Sequence, residues 1–204
     1  MPVPEFEKSM FEALLARRSV RKYKPRKVEA QTINNLLEAA VRAPTALGQE
    51  PWAFVIIQDK ILLKNLSDYA KPLFLNQIHQ HHQHHQHHSK QAQHKLDLFN
   101  RPDFNIFHDA NTLIVICGKT AAPFFSADCW LAAENMMLAA CAMNLGSCVI
   151  GSALSAFEVP EVRTKLRIPD SYSAVAPIVI GYPDEKNTPS SRKSPVVFSC
   201  ISAS

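Results

Sequence analysis

Ala-Arg-Arg-Ser-Val-Arg-Lys, residues 16–22, stands where an apolar helical pattern stops. Upstream, Phe6, Met10 and Leu14, with Phe11 and Leu15 beside them, recur at i, i+4 and i+8, and this predicts an amphipathic helix over residues 5–17. The helix delivers the guanidinium groups of Arg17, Arg18 and Arg21 and the hydroxyl of Ser19 to one place. A guanidinium is a planar fork of donors that matches a phosphate, and a serine hydroxyl adds one more bond. Taken alone, the basic run from Arg17 through Lys22 and Lys24 to Arg26 and Lys27 reads more simply as a solvated turn or a nonspecific polyanion patch.

The chain around this segment has 204 residues and is 47% apolar, enough for one globular domain with a real core. Its 22 basic and 18 acidic residues leave a net charge of +4, a balance that calls for no nucleic-acid partner. Cys117, Cys129, Cys141, Cys148 and Cys200 are odd in number and show no Cys-x-x-Cys spacing. They read as reduced, mostly buried thiols of a cytoplasmic protein. Met1–Glu12 mixes apolar and acidic residues, unlike a signal peptide. The most apolar stretch, Cys129–Met143, is interrupted by Glu134 and Asn135 and is too short and polar to span a bilayer.

A second helix is predicted over residues 29–42 from Ile33, Leu36, Leu37, Ala40 and Val41, stopped by Pro44. Trp52–Gln58 and Thr112–Cys117 read as buried strands, the second closed by Gly118, and Val175–Tyr182 reads as a third. Ile61–Ala70 and Val159–Leu166 look helical. Ser126–Asn144, with Ser126 as N-cap and Gly146 beyond its end, is expected to be the longest helix. It is apolar nearly all round, which places it in the core or at a subunit interface. Helices interleaved with few strands fit an α+β or three-layer domain. No strand-bound Gly-x-Gly-x-x-Gly, Walker loop or Gly-x-Ser-x-Gly elbow occurs, and His94 and His108 look isolated. Asp128 and Glu134 lie six apart, off any common helix face.

Three further segments follow residues 16–22: Ala-Pro-Thr-Ala-Leu-Gly-Gln-Glu-Pro-Trp (43–52), Leu-Gly-Ser-Cys-Val-Ile-Gly (145–151) and Ser-Ser-Arg-Lys-Ser-Pro (190–195). In this order the four resemble the FMN-dependent nitroreductase family, over most of the chain from Phe11 to Val197. The resemblance implies a single nitroreductase-like domain over residues 1–204: a three-layer α/β/α, α+β fold whose central sheet is mixed but mainly antiparallel. It breaks at 72–101, a variable His-rich insertion, and leaves 184–204 as a tail contributing to the flavin site or the dimer. It also implies a homodimer with the flavin site at the subunit interface, FMN as cofactor and NAD(P)H as co-substrate. A small-molecule nitro compound, quinone or similar oxidant would be reduced by a ping-pong mechanism. No membrane partner and no catalytic side chain are expected, because the flavin N5 carries the chemistry.

Residue by residue, the resemblance assigns Arg17 and Ser19 to the FMN phosphate, with Arg18 and Arg21 assisting and Arg192, then Lys193, folding back to it. Thr45, Ala46, Leu47 and Gly48 match positions around the isoalloxazine ring, and Ile150 and Gly151 match the backbone near N5. Two departures stand out: Gly48 where the family often has Asn, and Glu50 where it often has Gln. Gly48 has no side-chain amide to offer the pyrimidine edge, so either a backbone group or water replaces it or the flavin potential and reactivity change. Pro51 and Trp52 read as turn and core anchor. Cys148 reads as core, since no activating histidine adjoins it.

Seven of the nine histidines crowd residues 79–88 in a Gln-His-His repeat. On a helix, His81, His85 and His88, or His84 and His88, would share a side and could grip a transition metal. The competing reading is a solvated low-complexity insertion without a metal. Two other functions therefore stand beside the reductase: a His-rich metal-binding or storage protein on a flavoprotein scaffold, and another flavin reaction of the same fold, dehalogenation or flavin cleavage.

Overall fold

The protein was analysed as a computed structural model that describes residues 8–82, 96–185 and 192–201. Helices α1 (Met10–Ala16), α2 (Ala30–Ala40), α3 (Lys60–His82), α4 (Phe125–Ala142), α5 (Leu154–Phe157) and α6 (Pro160–Leu166) surround strands β1 (Trp52–Ile57), β2 (Thr112–Lys119), β3 (Gly146–Val149) and β4 (Tyr172–Gly181). The strands form one sheet in the order β1-β2-β4-β3, and every ladder is antiparallel. Among the described residues the parallel component is a single bridge, Ser19 to Ser147.

Alternation along β2 divides the interior in two. Ile114 and Ile116 enter one core with Leu36 of α2 and Ala132, Met136 and Ala140 of α4. Leu113, Val115 and Cys117 enter the other with Leu63 and Leu66 of α3 and Phe157 of α5. A bulge between Ile116 and Cys117 shifts the register against β4, so that Val175 and Ala176 both join the α4 side. The result is the expected α+β arrangement of three layers, with the sheet between two helical layers.

Several boundaries differ from the sequence expectation. Gly118 does not close β2: it pairs with Trp52 and Ser173, and the two ladders carry the strand across it to Lys119. Helix α4 starts at Phe125 with Phe124 at its cap, so Ser126 lies inside the first turn. The longest helix is α3, at 23 residues, because it continues through the exposed Pro72 instead of ending at Ala70. Strand β3 was not anticipated; with four residues and a leading glycine it carries almost no periodic signal.

Helix α1 opens on a capping box in which Ser9 accepts from the Glu12 N–H and Glu12 accepts from the Ser9 N–H. Its apolar stripe faces outward. Met10, Phe11 and Leu15 are 66%, 70% and 76% exposed, whereas Ala13 is buried against Cys141 and Ala142 of α4. The small side chain of Ala13 lets α1 sit close on α4, and the large ones stay exposed.

Candidate functional site

Beyond Arg17, which caps α1, the chain runs extended along the sheet edge. The Val20 N–H donates to the Ser147 carbonyl of β3 at 3.0 Å, and the Lys24 N–H to the Tyr182 carbonyl at 2.8 Å. Val20 is buried directly over Gly146: a Cβ there would stand 2.7–2.9 Å from three Val20 carbons. Glycine at 146 is what allows the basic segment to lie on β3.

In extended chain, alternate side chains leave on opposite sides. Arg17, Ser19 and Arg21 therefore share one side and Arg18 takes the other. The Arg17 Nε lies 3.3 Å from the Glu134 carboxylate of α4. Arg18 turns to a 270 Å³ cavity that it shares with Lys8, Asn144 and Glu185, and its guanidinium donates to the Leu15 and Arg17 carbonyls. Arg21 lines a different cavity of 380 Å³ with Tyr23, Arg101, Asn105 and His108. That volume lies in the range of small-molecule sites.

The far wall of the larger cavity, residues 101–109, is pinned from behind by α3. The Ser67 hydroxyl accepts the Ile106 N–H at 3.0 Å. One turn on, the buried Lys71 ammonium donates to the carbonyls of Phe104 (3.0 Å) and Arg101 (3.3 Å) and pairs with Asp68. His108 and Asp109 both take left-handed backbone, each at φ 54°, braced by Asn105, which donates to the Asp109 carboxylate. Burial, reinforced by the positive charge of Arg21, holds the His108 imidazole below its ordinary pKa of 6.5, so it is neutral at pH 7. In the sequence His108 stands isolated. Its signal was weak, since only folding brings it to Arg21.

Residues 146–151 supply the adjoining edge. Ile150 is buried and donates its N–H to the Pro177 carbonyl at 2.8 Å. Gly151 opens a 3₁₀ turn, with open space where a Cβ would stand. As the turn's first residue it has no acceptor within the turn for its N–H. Cys148 is a core residue: it is buried, and burial raises its thiol above the ordinary range despite Arg21 and Ser19.

The loop from Pro44 to Pro51 is held at the other end of α4. The Ala46 N–H donates to the Asp128 carboxylate at 3.1 Å. Leu47 and Gly48 are both left-handed, and Leu47 is 81% exposed. Glu50 is exposed and left-handed, with its N–H 3.4 Å from the Thr45 hydroxyl. Pro51 is buried and Trp52 packs on the α4 core, as expected for turn and anchor. At the opposite end of the helix Lys8 donates to the Cys141 carbonyl, so some 13 residues, about 20 Å at 1.5 Å per residue, separate the loop's tether from the start of α1. One chain joins the basic segment to residues 146–151, and loop 45–48 is tethered at Asp128, six residues or about 9 Å along α4 from the Glu134 that pairs with Arg17. Arg192 and Lys193 lie on an exposed, irregular tail. Of the histidine candidates, His81 is in the last turn of α3, and His84, His85 and His88 lie outside the described residues. Among the described residues no group of three or more His, Cys, Asp or Glu could hold a metal ion, and no helix is long and apolar enough to cross a membrane.

The nitroreductase family model matches residues 14–182, and the chain belongs to that family; membership makes it an oxidoreductase. The crystal structure of a nitroreductase with bound FMN from Bacteroides fragilis is similar at a TM-score of 0.76 and 25% identity, covering 96% of this chain and 100% of that one. A relative from Methanothermobacter thermautotrophicus, provisionally named an NADH dehydrogenase/NAD(P)H nitroreductase, is 26% identical over 180 residues, covering 86% of this chain and 78% of the relative. An NADH dehydrogenase from Thermus thermophilus is 26% identical over 187 residues, covering 88% of this chain and 89% of that protein.

Proposed function

We propose that the protein is an FMN-dependent oxidoreductase that takes hydride from NAD(P)H and reduces a nitro compound, quinone or similar small oxidant in a ping-pong cycle. The observation that carries this reading is the basic segment bridged to β3 beside a 380 Å³ cavity, with Arg21 common to both. The residues fit the cofactor. Arg17, Ser19 and Arg21 share a side and offer charge-assisted bonds to a phosphate. Arg192 and Lys193, on a tail with exposed side chains, are free to add to them. Arg18 faces the other cavity and supports the segment through its bonds to Leu15 and Arg17. Ile150 and Gly151 present backbone without a Cβ at the glycine. FMN, when bound, supplies the hydride acceptor and the electrons for the second substrate. The chain's own part is to hold the phosphate, to keep His108 neutral beside the cavity, and to present the Gly151 backbone rather than acid or base side chains.

The active unit in this reading is a homodimer. Loop 45–48, with Thr45, Ala46, Leu47 and Gly48, would close the ring site of a partner. The exposed apolar surface of α1, Trp130 and Leu131 of α4, and Phe198 and Ile201 of the tail support such an interface. Titrating protein with FMN under fluorescence, then mixing anaerobically with NADH or NADPH, tests the proposal. Expected are saturable flavin uptake, bleaching by a reduced nicotinamide and recovery of colour with a quinone; absence of FMN uptake overturns it. Parallel double-reciprocal lines would establish the ping-pong order.

A further inference from the structure

Asp128 has no part in the chemistry described so far, yet it is 3% exposed and carboxylates are rarely buried without reason. One oxygen accepts the Ala46 N–H at 3.1 Å; the other is fully buried with no hydrogen-bond partner. The carboxylate belongs to the first turn of α4, where the helix dipole favours negative charge, and this offsets part of the cost of that second oxygen. The loop it grips is strained. Leu47 at φ 56° and Glu50 at φ 45° occupy left-handed backbone, which is unfavourable for a residue with a Cβ. Such strain persists only where the surroundings over-determine it. Among the described residues the other side-chain bond to the loop backbone is longer: the Glu50 N–H donates to the Thr45 hydroxyl at 3.4 Å.

We propose that Asp128 is a positioning residue for the flavin-contacting loop: its buried carboxylate fixes Ala46, and through it the left-handed pair Leu47–Gly48 that faces the ring. This rests on the FMN reading above. In the dimeric reading above, Asp128 would act on the flavin of the partner subunit. An acceptor is what the role requires, so Asn, which keeps an oxygen at the same place, should serve where Ala cannot.

The experiment measures two quantities on the full-length protein, amide exchange at Ala46 and the FMN dissociation constant. In D128A the Ala46 amide should exchange at least about tenfold faster than in wild type and FMN should bind about tenfold more weakly, the scale for loss of a hydrogen bond to a charged group. D128N should stay within about threefold of wild type on both measures. Should D128A fail to fold, A46P removes the same bond from the loop side. Thr45 is already extended at φ −130° and ψ 146°, as a residue before proline prefers, so A46P should fold and reproduce the loss of FMN affinity. Unchanged FMN affinity in D128A or A46P overturns the proposal, and so does equal weakening in D128N and D128A. Wild-type protein that binds no FMN overturns the flavin reading instead, and Ala46 exchange then still decides whether Asp128 holds the loop.

Discussion

Arg17 and Arg21 carry the same charge on the same side of one extended segment, yet their surroundings differ. Arg17 is bonded to Glu134 and three-quarters shielded, while Arg21 is exposed and reaches the cavity of His108. In the proposed reading both meet the cofactor, so R17A and R21A should each weaken FMN by about 10- to 100-fold, since one charge-assisted bond is worth ~1.5–3 kcal/mol. Equilibrium dialysis checks this, and the circular dichroism of both variants should stay that of wild type. His108 gives a pH test with a definite sign. Its folded pKa is depressed below 6.5 by burial and by Arg21, so near and below that pH the unfolded chain binds the extra proton. Stability should therefore fall as pH drops from 6.5 towards the folded value. In H108N, which suits left-handed backbone at φ 54°, that part of the acid slope should vanish. Urea midpoints at pH 7 and pH 5 for both proteins measure it.

At the scale of elements, what the sequence disclosed depended on how long each pattern ran. Helix α2 and strands β1 and β2 came through, since their apolar periods extend over six or more residues. Strand β3 did not, because its identity lies in what it touches, Val20 on one side and β4 on the other. The cofactor segments could be located by resemblance, but the cavity wall 101–109 and its supports Ser67 and Lys71 could not; their roles come from contacts about 30 to 40 residues away in the chain. Those contacts make two predictions. G146A drives a Cβ into Val20 and should cost about 1–3 kcal/mol, as overpacking does, with V20A restoring most of it. K71M should cost a similar ~1–3 kcal/mol, because the Arg101 and Phe104 carbonyls lose their buried donor. Both are read from chemical denaturation; a K71M protein as stable as wild type would show that the cavity wall stands without its clamp.

For the whole molecule, the decisive fact is the outward face of α1. Sequence periodicity makes α1 an amphipathic helix, and among the described residues its Met10, Phe11, Leu14 and Leu15 are 66%, 70%, 47% and 76% exposed. Ala13 makes the internal contact, so in the dimeric reading proposed above the amphipathic pattern would describe a surface between molecules. Trp130 and Leu131 of α4 are likewise exposed, at 41% and 46%. Covering these side chains in a dimer returns on the order of 25 cal/mol for each Å² of apolar surface removed from water. The same event would bring loop 45–48 of one chain to the basic segment of the other, so that oligomerisation and cofactor binding become one equilibrium. F11D separates the alternatives. A carboxylate at a residue 70% exposed leaves the fold of a single chain intact, whereas burying it unpaired in an interface costs several kcal/mol. A penalty of about 4 kcal/mol raises a dimer dissociation constant by roughly a thousandfold. Sedimentation velocity at micromolar concentration should show a wild-type dimer and an F11D monomer with unchanged far-ultraviolet circular dichroism, and the monomer should be depleted of FMN. An F11D protein that sediments as a dimer would remove α1 from the interface; one that is monomeric but still saturates with FMN would mean that a single chain completes the flavin site.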